Sequence, residues 1–270
     1  MNREERRRTQ NQALRDYREW GLPPRFDFPA MFAHTRALLR SLGKRPDAAR
    51  LMQATRAYHA GFERSLLSFP PPETTACRAG CSMCCHNWIS VTLPEVLLIA
   101  DWLRANQKTV SHERIVAAAE TGMNRNRDER LALRLACPLL AEGLCSVYGV
   151  RPLACRAFFS LSLQACRDVF DGLGEDVPTA RDAMVLRGVH DRCFWAALRA
   201  AGLPSDAYEL NHALALALSH DDPAGIWLRG GDVFAVATPD IAHDEEELLF
   251  LDVLIAGARE RKLPANPWVD

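Results

Sequence analysis

The segment CRAGCSMCC carries four thiols in nine positions, Cys77, Cys81, Cys84 and Cys85. Thiolates are donors for soft and borderline metal ions, and a gap of two residues lets the sulfurs of Cys81 and Cys84 face one centre in a tight loop. Gly80 allows the chain to turn between Cys77 and Cys81. Cys85 needs another account, because adjacent side chains of an extended chain point to opposite sides: it serves a second centre, or a kink in the loop turns it back. Further along stand Cys137, Cys145, Cys155, Cys166 and Cys193, and none of the nine thiols lies in the first 76 or the last 77 residues. Thiols used only as small core residues would be spread more evenly, so the pattern marks a central cysteine module.

Four thiolates around one metal centre leave a net charge of about −2, which nearby guanidinium groups would offset. Arg151 and Arg156 bracket Cys155 in RPLACR and are the candidates for that role; the alternative is that they are solvated surface arginines. One zinc takes four ligands and leaves several thiols without a role. Eight thiols would hold two iron-sulfur clusters, or one cluster and a zinc, with Cys166 as the eighth. The sulfur-only donor set favours an iron-sulfur cluster of the four-iron type, with zinc as the alternative, and disfavours mononuclear iron of the histidine-carboxylate kind. His86 follows the vicinal pair and could ligate zinc, though a hydrogen-bonding or solvated histidine is its plainer role. Cys193, in VHDRCFWAAL, shares a helical face with Val189, Ala196 and Ala197 and reads as a buried packing thiol; His190 and Asp191 read as structural.

The rest of the chain must position these groups, and it is mostly helical by pattern. Leu51, Tyr58, Phe62 and Leu66 recur at helical spacing, Pro46 suits a first helical turn, and Pro70 to Pro72 end that helix. Thr92 and Glu95 stand at the spacing of a capping box, with Pro94 in the first turn of the helix that follows a short β-like run. Glu142-Gly143 lies between two short apolar runs and predicts a β-hairpin flanked by Cys137 and Cys145. The stretches from Ser160, Pro178, Ser205 and Asp244 have helical periodicity. The predicted fold is a mostly α protein with a central cysteine-rich metal-binding module containing loops and a short β-hairpin. Its segments are 1–72 (helical), 73–170 (cysteine module) and 171–270 (helical), expected to form one compact unit.

Composition sets the outer limits. The 270 residues, 48% of them apolar, can build a core without disulfides, and 33 basic against 34 acidic side chains give a formal charge of −1, with no field to steer the chain toward nucleic acid. The first twenty residues are arginine-rich without an apolar run, and the apolar stretch from Leu248 to Ala258 is short and contains Asp252, so neither secretion nor a membrane span is expected. A cytoplasmic location follows as an expectation, and there dense thiols are metal or redox groups more often than bridges.

The block CxxxCxxCC at Cys77, Cys81, Cys84 and Cys85, then CPLL at Cys137, CSVY at Cys145 and RPLACRAF at Cys155, resembles the YkgJ-type cysteine-cluster family, whose domain is described as zinc- or iron-chelating. The resemblance spans residues 73 to 167 and implies metal or iron-sulfur binding by those cysteines; a related domain occurs in flagellin lysine methylases. It implies no substrate, and no catalytic residue is read here. Two classes of function are expected: an iron-sulfur oxidoreductase or modification enzyme acting on a protein or peptide partner, and a zinc-stabilised interaction module without catalysis.

Overall fold

The computed structural model describes residues 27–106, 111–260, 262–263 and 265–266; the arginine-rich first twenty residues lie outside them. Among the described residues there are eleven α-helices, a three-stranded sheet and a two-stranded hairpin, so the mostly α expectation holds. No helix is long and apolar enough to cross a membrane. The chain divides into two compact units that do not follow sequence order: one takes residues up to 70, 184–205 and those from 242 onward, the other 71–183 and 206–241.

The first unit contains α1 (Phe28–Leu42), α2 (Ala48–Ser68), most of α8 (Arg181–Ala200) and α11 (Glu245–Ala258). Asp27 caps α1 by accepting from Ala30 N at 3.0 Å, and Asp244 caps α11 through Glu247 N at 2.8 Å. Asp47, rather than Pro46, starts α2, accepting from Arg50 N at 2.8 Å; Pro46 lies just outside the helix. A carboxylate can take up a free N–H of the first turn, which proline cannot do. Tyr58 and Phe62 are buried on the inner face of α2, and Tyr58 stacks on Phe194 with centroids 4.4 Å apart. Helix α11 packs on α1 at Gly257, where a Cβ would stand 2.4 Å from the Phe32 ring.

A polar chain runs through this apolar core. Ser65 Oγ donates to Gly61 O at 3.1 Å and therefore accepts from His190 Nε2 at 2.7 Å. His190 Nδ1 is then an acceptor for His34 Nε2 at 3.1 Å, and His34 Nδ1 accepts from Asn266 Nδ2 at 3.3 Å. Both rings are fully buried, and this directional chain satisfies each in its neutral form. Gly61 makes room for the pair, since a Cβ there would lie 2.7 Å from His34 Cε1. The structural reading of His190 thus stands, with Ser65 and His34 as its partners. Asp191 accepts from the Tyr58 hydroxyl and pairs with Arg187 at 3.2 Å.

The second unit is built on β1 (Ser90–Thr92), β4 (Ala207–Glu209) and β5 (Pro239–Ile241), antiparallel in the order β1-β4-β5, with Ser90 opposite Glu209 and Thr92 opposite Ala207. β4 occupies part of the stretch from Ser205 that reads as helix by periodicity. Its pairing with β1, more than a hundred positions away in the chain, overrides the local pattern. Helix α3 (Leu93–Ala105) follows β1 directly, and α9 (Leu210–Leu218) follows β4 and packs against α3 and α4 (His112–Gly122). The expected hairpin is present as β2 (Leu140–Ala141) and β3 (Leu144–Cys145), with positive φ at both Glu142 and Gly143, as a tight two-residue turn requires.

Burial pushes the pKa of His34 down to about 3, with Arg64 adding a smaller push in the same direction; burial also holds His190 well below its ordinary value, with His34 reinforcing the shift. The unfolded chain takes up protons at both rings below about pH 6.5 while the folded chain stays neutral. The stabilisation is therefore complete above that pH and is lost as pH falls below it, for His34 down to about 3. Within that window His34 should cost up to about 1.4 kcal/mol per pH unit, and His190 adds a loss of the same sign. The melting temperature should drop between pH 7 and pH 5, and the drop should shrink in the His34→Asn/His190→Asn double variant; equal drops in both proteins would contradict the neutral pair.

Candidate metal centre

Backbone contacts, rather than regular secondary structure, hold the cysteine segments. Gly80 adopts φ +80° with open space around it, so the backbone angle itself favours glycine at the turn into Cys81, whose N–H donates to Arg78 O at 3.0 Å. Cys84 and Cys85 lie on a single 3₁₀ turn, Met83–His86. Successive side chains there diverge by about 120°, so the vicinal thiols are splayed without being sent to opposite sides. Cys85 O accepts from Cys137 N at 2.6 Å, which docks the second cysteine segment onto the first. Cys145 pairs with Leu140 in the hairpin, and Leu140 N returns to Cys137 O at 3.0 Å. Cys155 rides on the short helix α6 (Leu153–Arg156), whose Leu153 N–H donates to Glu95 Oε1 at 2.8 Å.

Cys77, the most exposed thiol, accepts from Ser160 N at 3.2 Å, and Cys166, buried on α7 (Leu163–Asp171), donates to Ser160 Oγ at 3.1 Å. Ser160 therefore brings together two cysteines 89 positions apart. Cys193 belongs to the first unit, where it is fully buried with its sulfur 3.6 Å from Met31 O. All nine cysteines are free thiols.

The electrostatics sort the module's thiols into two neighbourhoods. Cys77 is pushed up first by burial and then by the charges of Cys84, Cys81 and Cys166, against the Ser160 N–H that pulls it down. Cys155 is pushed up by burial and then by Cys137, Cys84 and Cys145. Burial raises Cys137 to about 11, and it raises Cys145 as well. Cys84 acts on members of both groups; its own thiol is held protonated first by the hydrogen bond with Cys85 and then by burial. Among the described residues, no three His, Cys, Asp or Glu side chains converge closely enough to form a finished metal site. The thiols are neighbours whose final approach metal binding would have to complete.

Arg151 lies over the Tyr148 ring at 3.7 Å, its buried Nε has no hydrogen-bond partner among the described residues, and its charge favours the thiolates of Cys84, Cys145 and Cys155. Arg156 is engaged with its own loop, Nε to Arg151 O at 2.8 Å and Nη2 to Gly149 O at 2.7 Å, and its charge reaches Cys145. His86 sits edge-on to Phe170 at 4.8 Å with Nδ1 3.4 Å from Met83 O. Beside the thiols is a cavity of about 50 Å³ lined by Met83, Cys84, His86, Phe158, Cys166 and Phe170. Sequence reasoning passed over Ser160, Glu95's contact with Leu153, and a buried arginine, Arg130. None carries a local signal, because each acts through a partner distant in the chain or through burial.

A sulfur-rich set of free thiols within reach of arginine charge is a donor set suited to a thiolate metal centre. Residues 76–170 match the CxxCxxCC family, described as "Putative zinc- or iron-chelating domain", and this is the family that the cysteine pattern resembles. The match contains every cysteine except Cys193. Neither a curated protein nor a solved structure matches the chain.

Cys193 and Cys155 make a discriminating pair. Cys193→Ala should leave metal content unchanged and lower stability by about 1 kcal/mol. Cys155→Ala should remove metal and destabilise the protein by several kcal/mol, because the remaining ligands lose their centre. Iron and zinc per chain, with a denaturation curve for each variant, check this; full metal retention in Cys155→Ala would overturn the ligand assignment.

Proposed function

We propose that the module carries one or two iron-sulfur clusters held by Cys77, Cys81, Cys84, Cys85, Cys137, Cys145, Cys155 and Cys166, and that it serves a redox or protein-modification reaction on a protein or peptide partner. The observation carrying this reading is the grouping of the thiols. The charges of Cys84, Cys81 and Cys166 bear on Cys77, and those of Cys137, Cys84 and Cys145 bear on Cys155, although no three of these side chains converge into a finished site among the described residues. One zinc takes four ligands, whereas the eight thiols of this segment would supply two four-sulfur sets. An all-sulfur donor set is also the chemistry that iron-sulfur clusters use.

The residues present fit such a group. The thiols are free, and the buried Arg151 Nε has no acceptor of its own. When bound, an iron-sulfur cluster supplies one-electron chemistry. The chain's own part is to hold and tune. Ser160 orients Cys77 and Cys166, Glu95 fixes the start of the helix that bears Cys155, and Arg151 offsets thiolate charge. The small cavity bounded by Cys84 and Cys166 offers a route by which a reactant group approaches the sulfurs.

Protein prepared without oxygen should be brown and contain iron and acid-labile sulfide in comparable amounts. Cys84→Ser and Cys85→Ser should then each lose iron, and iron equal to that of the unmodified chain in both variants would show that neither thiol is a ligand. Zinc without sulfide in anaerobically prepared protein would replace this reading with that of a zinc-stabilised interaction module.

A further inference from the structure

Arg130 is among the largest fully buried side chains of the protein, 1% exposed. It sits on α5 (Arg127–Ala132), a short helix closed at its start by a reciprocal box in which Glu129 N donates to Asn126 Oδ1 at 2.9 Å and Asn126 N to Glu129 Oε2 at 2.8 Å. Nη2 donates to Leu135 O at 2.9 Å, but Nε and Nη1 have no hydrogen-bond partner among the described residues. A buried guanidinium with two of its three nitrogens unpaired is costly, because the lost hydration is not replaced.

Two groups respond to the charge of Arg130, Glu209 and Cys137. Glu209 is committed to capping α9, its Oε2 accepting from His212 N at 2.8 Å, and burial pushes its carboxyl up rather than down. Cys137 lies two residues beyond the carbonyl that holds Nη2. The other buried side-chain atoms of the second unit without partners are Trp88 Nε1, Ser90 Oγ and Arg151 Nε, all within the cysteine module and all able to donate. Among the described residues the module thus has a surplus of buried donors, those of Arg130 and Arg151 on side chains whose charge reaches thiols, and an anionic thiolate centre would supply acceptors.

We propose that Arg130 is a positioning residue of the metal centre, its buried charge and two unpaired N–H groups stabilising the metal-bound thiolates on the Cys137 side. This rests on the metal-binding reading above and extends it to a residue outside every cysteine motif. The guanidinium is costly in the metal-free protein and favourable in the loaded one, so its replacement has opposite consequences in the two states. A purely structural arginine would stabilise both alike.

The full-length chain, stripped of metal without oxygen, is titrated with Co²⁺ as a probe of the thiolates, following sulfur-to-cobalt absorption and the melting temperature with and without the metal. Arg130→Met should weaken Co²⁺ binding by about ten- to a hundredfold while leaving the metal-free melting temperature unchanged or higher. Arg130→Gln, which keeps a donor for the Leu135 carbonyl, should show the same loss and decides the matter should the methionine variant not fold. Arg130→Lys should recover most of the affinity by restoring the charge. Binding by Arg130→Gln within twofold of the unmodified chain overturns the proposal, as does a metal-free melting temperature lowered as much as the loaded one. An unmodified chain that takes up no Co²⁺ would instead overturn the metal-binding reading itself.

Discussion

The cysteine module depends on one buried carboxylate. Glu95 is 2% exposed, and its Oε2 accepts from Thr92 N and Thr92 Oγ1, both at 3.0 Å, while Oε1 accepts from Leu153 N at 2.8 Å. A capping glutamate ordinarily satisfies one helix start; this one joins two. Thr92 ends the strand that follows the vicinal cysteines, and Leu153 begins the helix that bears Cys155, so the carboxylate ties together the chain segments of both cysteine motifs. Three donors to one carboxylate also make its burial tolerable, since hydrogen bonds to an ionised acceptor are about twice as strong as those between neutral groups.

That constraint explains how a site with so little regular structure keeps its shape. Cys77, Cys81 and the 3₁₀ turn of Cys84 and Cys85 lie outside any α-helix or strand. Their positions follow from single backbone contacts: Cys85 O with Cys137 N, Cys77 Sγ with Ser160 N, and the strand pairing of Ser90 with Glu209. Each is long-range in sequence; the Ser160 N–H holds the Cys77 sulfur itself, whereas the other two act on the backbone alone. Such a framework fixes which sulfurs are neighbours without fixing their final directions, which suits a centre whose geometry is completed on metal binding.

The parts of this design legible in the sequence are those with a local cause. Glu142-Gly143 announces its hairpin because two successive positive φ angles suit few residue pairs, and Thr92-x-x-Glu95 announces a helix start because both capping partners lie within four positions. Gly80 is readable for the same reason. What escapes has a distant cause. Tyr208 lies in a strand only because β1 is there to pair with it. Leu153 N–H gains its acceptor from a residue 58 positions earlier. Arg130, in the stretch RNRDERLALR, looks like one more solvated arginine beside three others, and nothing in its neighbours distinguishes the one that is buried.

Buried charged groups are met differently in the two units. In the first, Arg187 Nε lies 3.2 Å from Asp191 Oδ2, and Glu247 receives Arg192 on Oε2 at 2.9 Å. Their geometry is imperfect, but their charges are balanced within the chain. In the second unit the buried charge of Arg130 is met first by Glu209 and then by Cys137, and that of Arg151 reaches Cys145 and Cys155, thiols that burial holds protonated. Deprotonating several buried thiols without a compensating cation would be prohibitive, and burying arginines without anions is costly too. A bound metal would remove both penalties together, because thiolates held by the cation would offer the arginines anionic partners. On the proposed reading the imperfection of the module is a coupling, in which thiols and guanidinium groups that are poorly satisfied separately would be satisfied together.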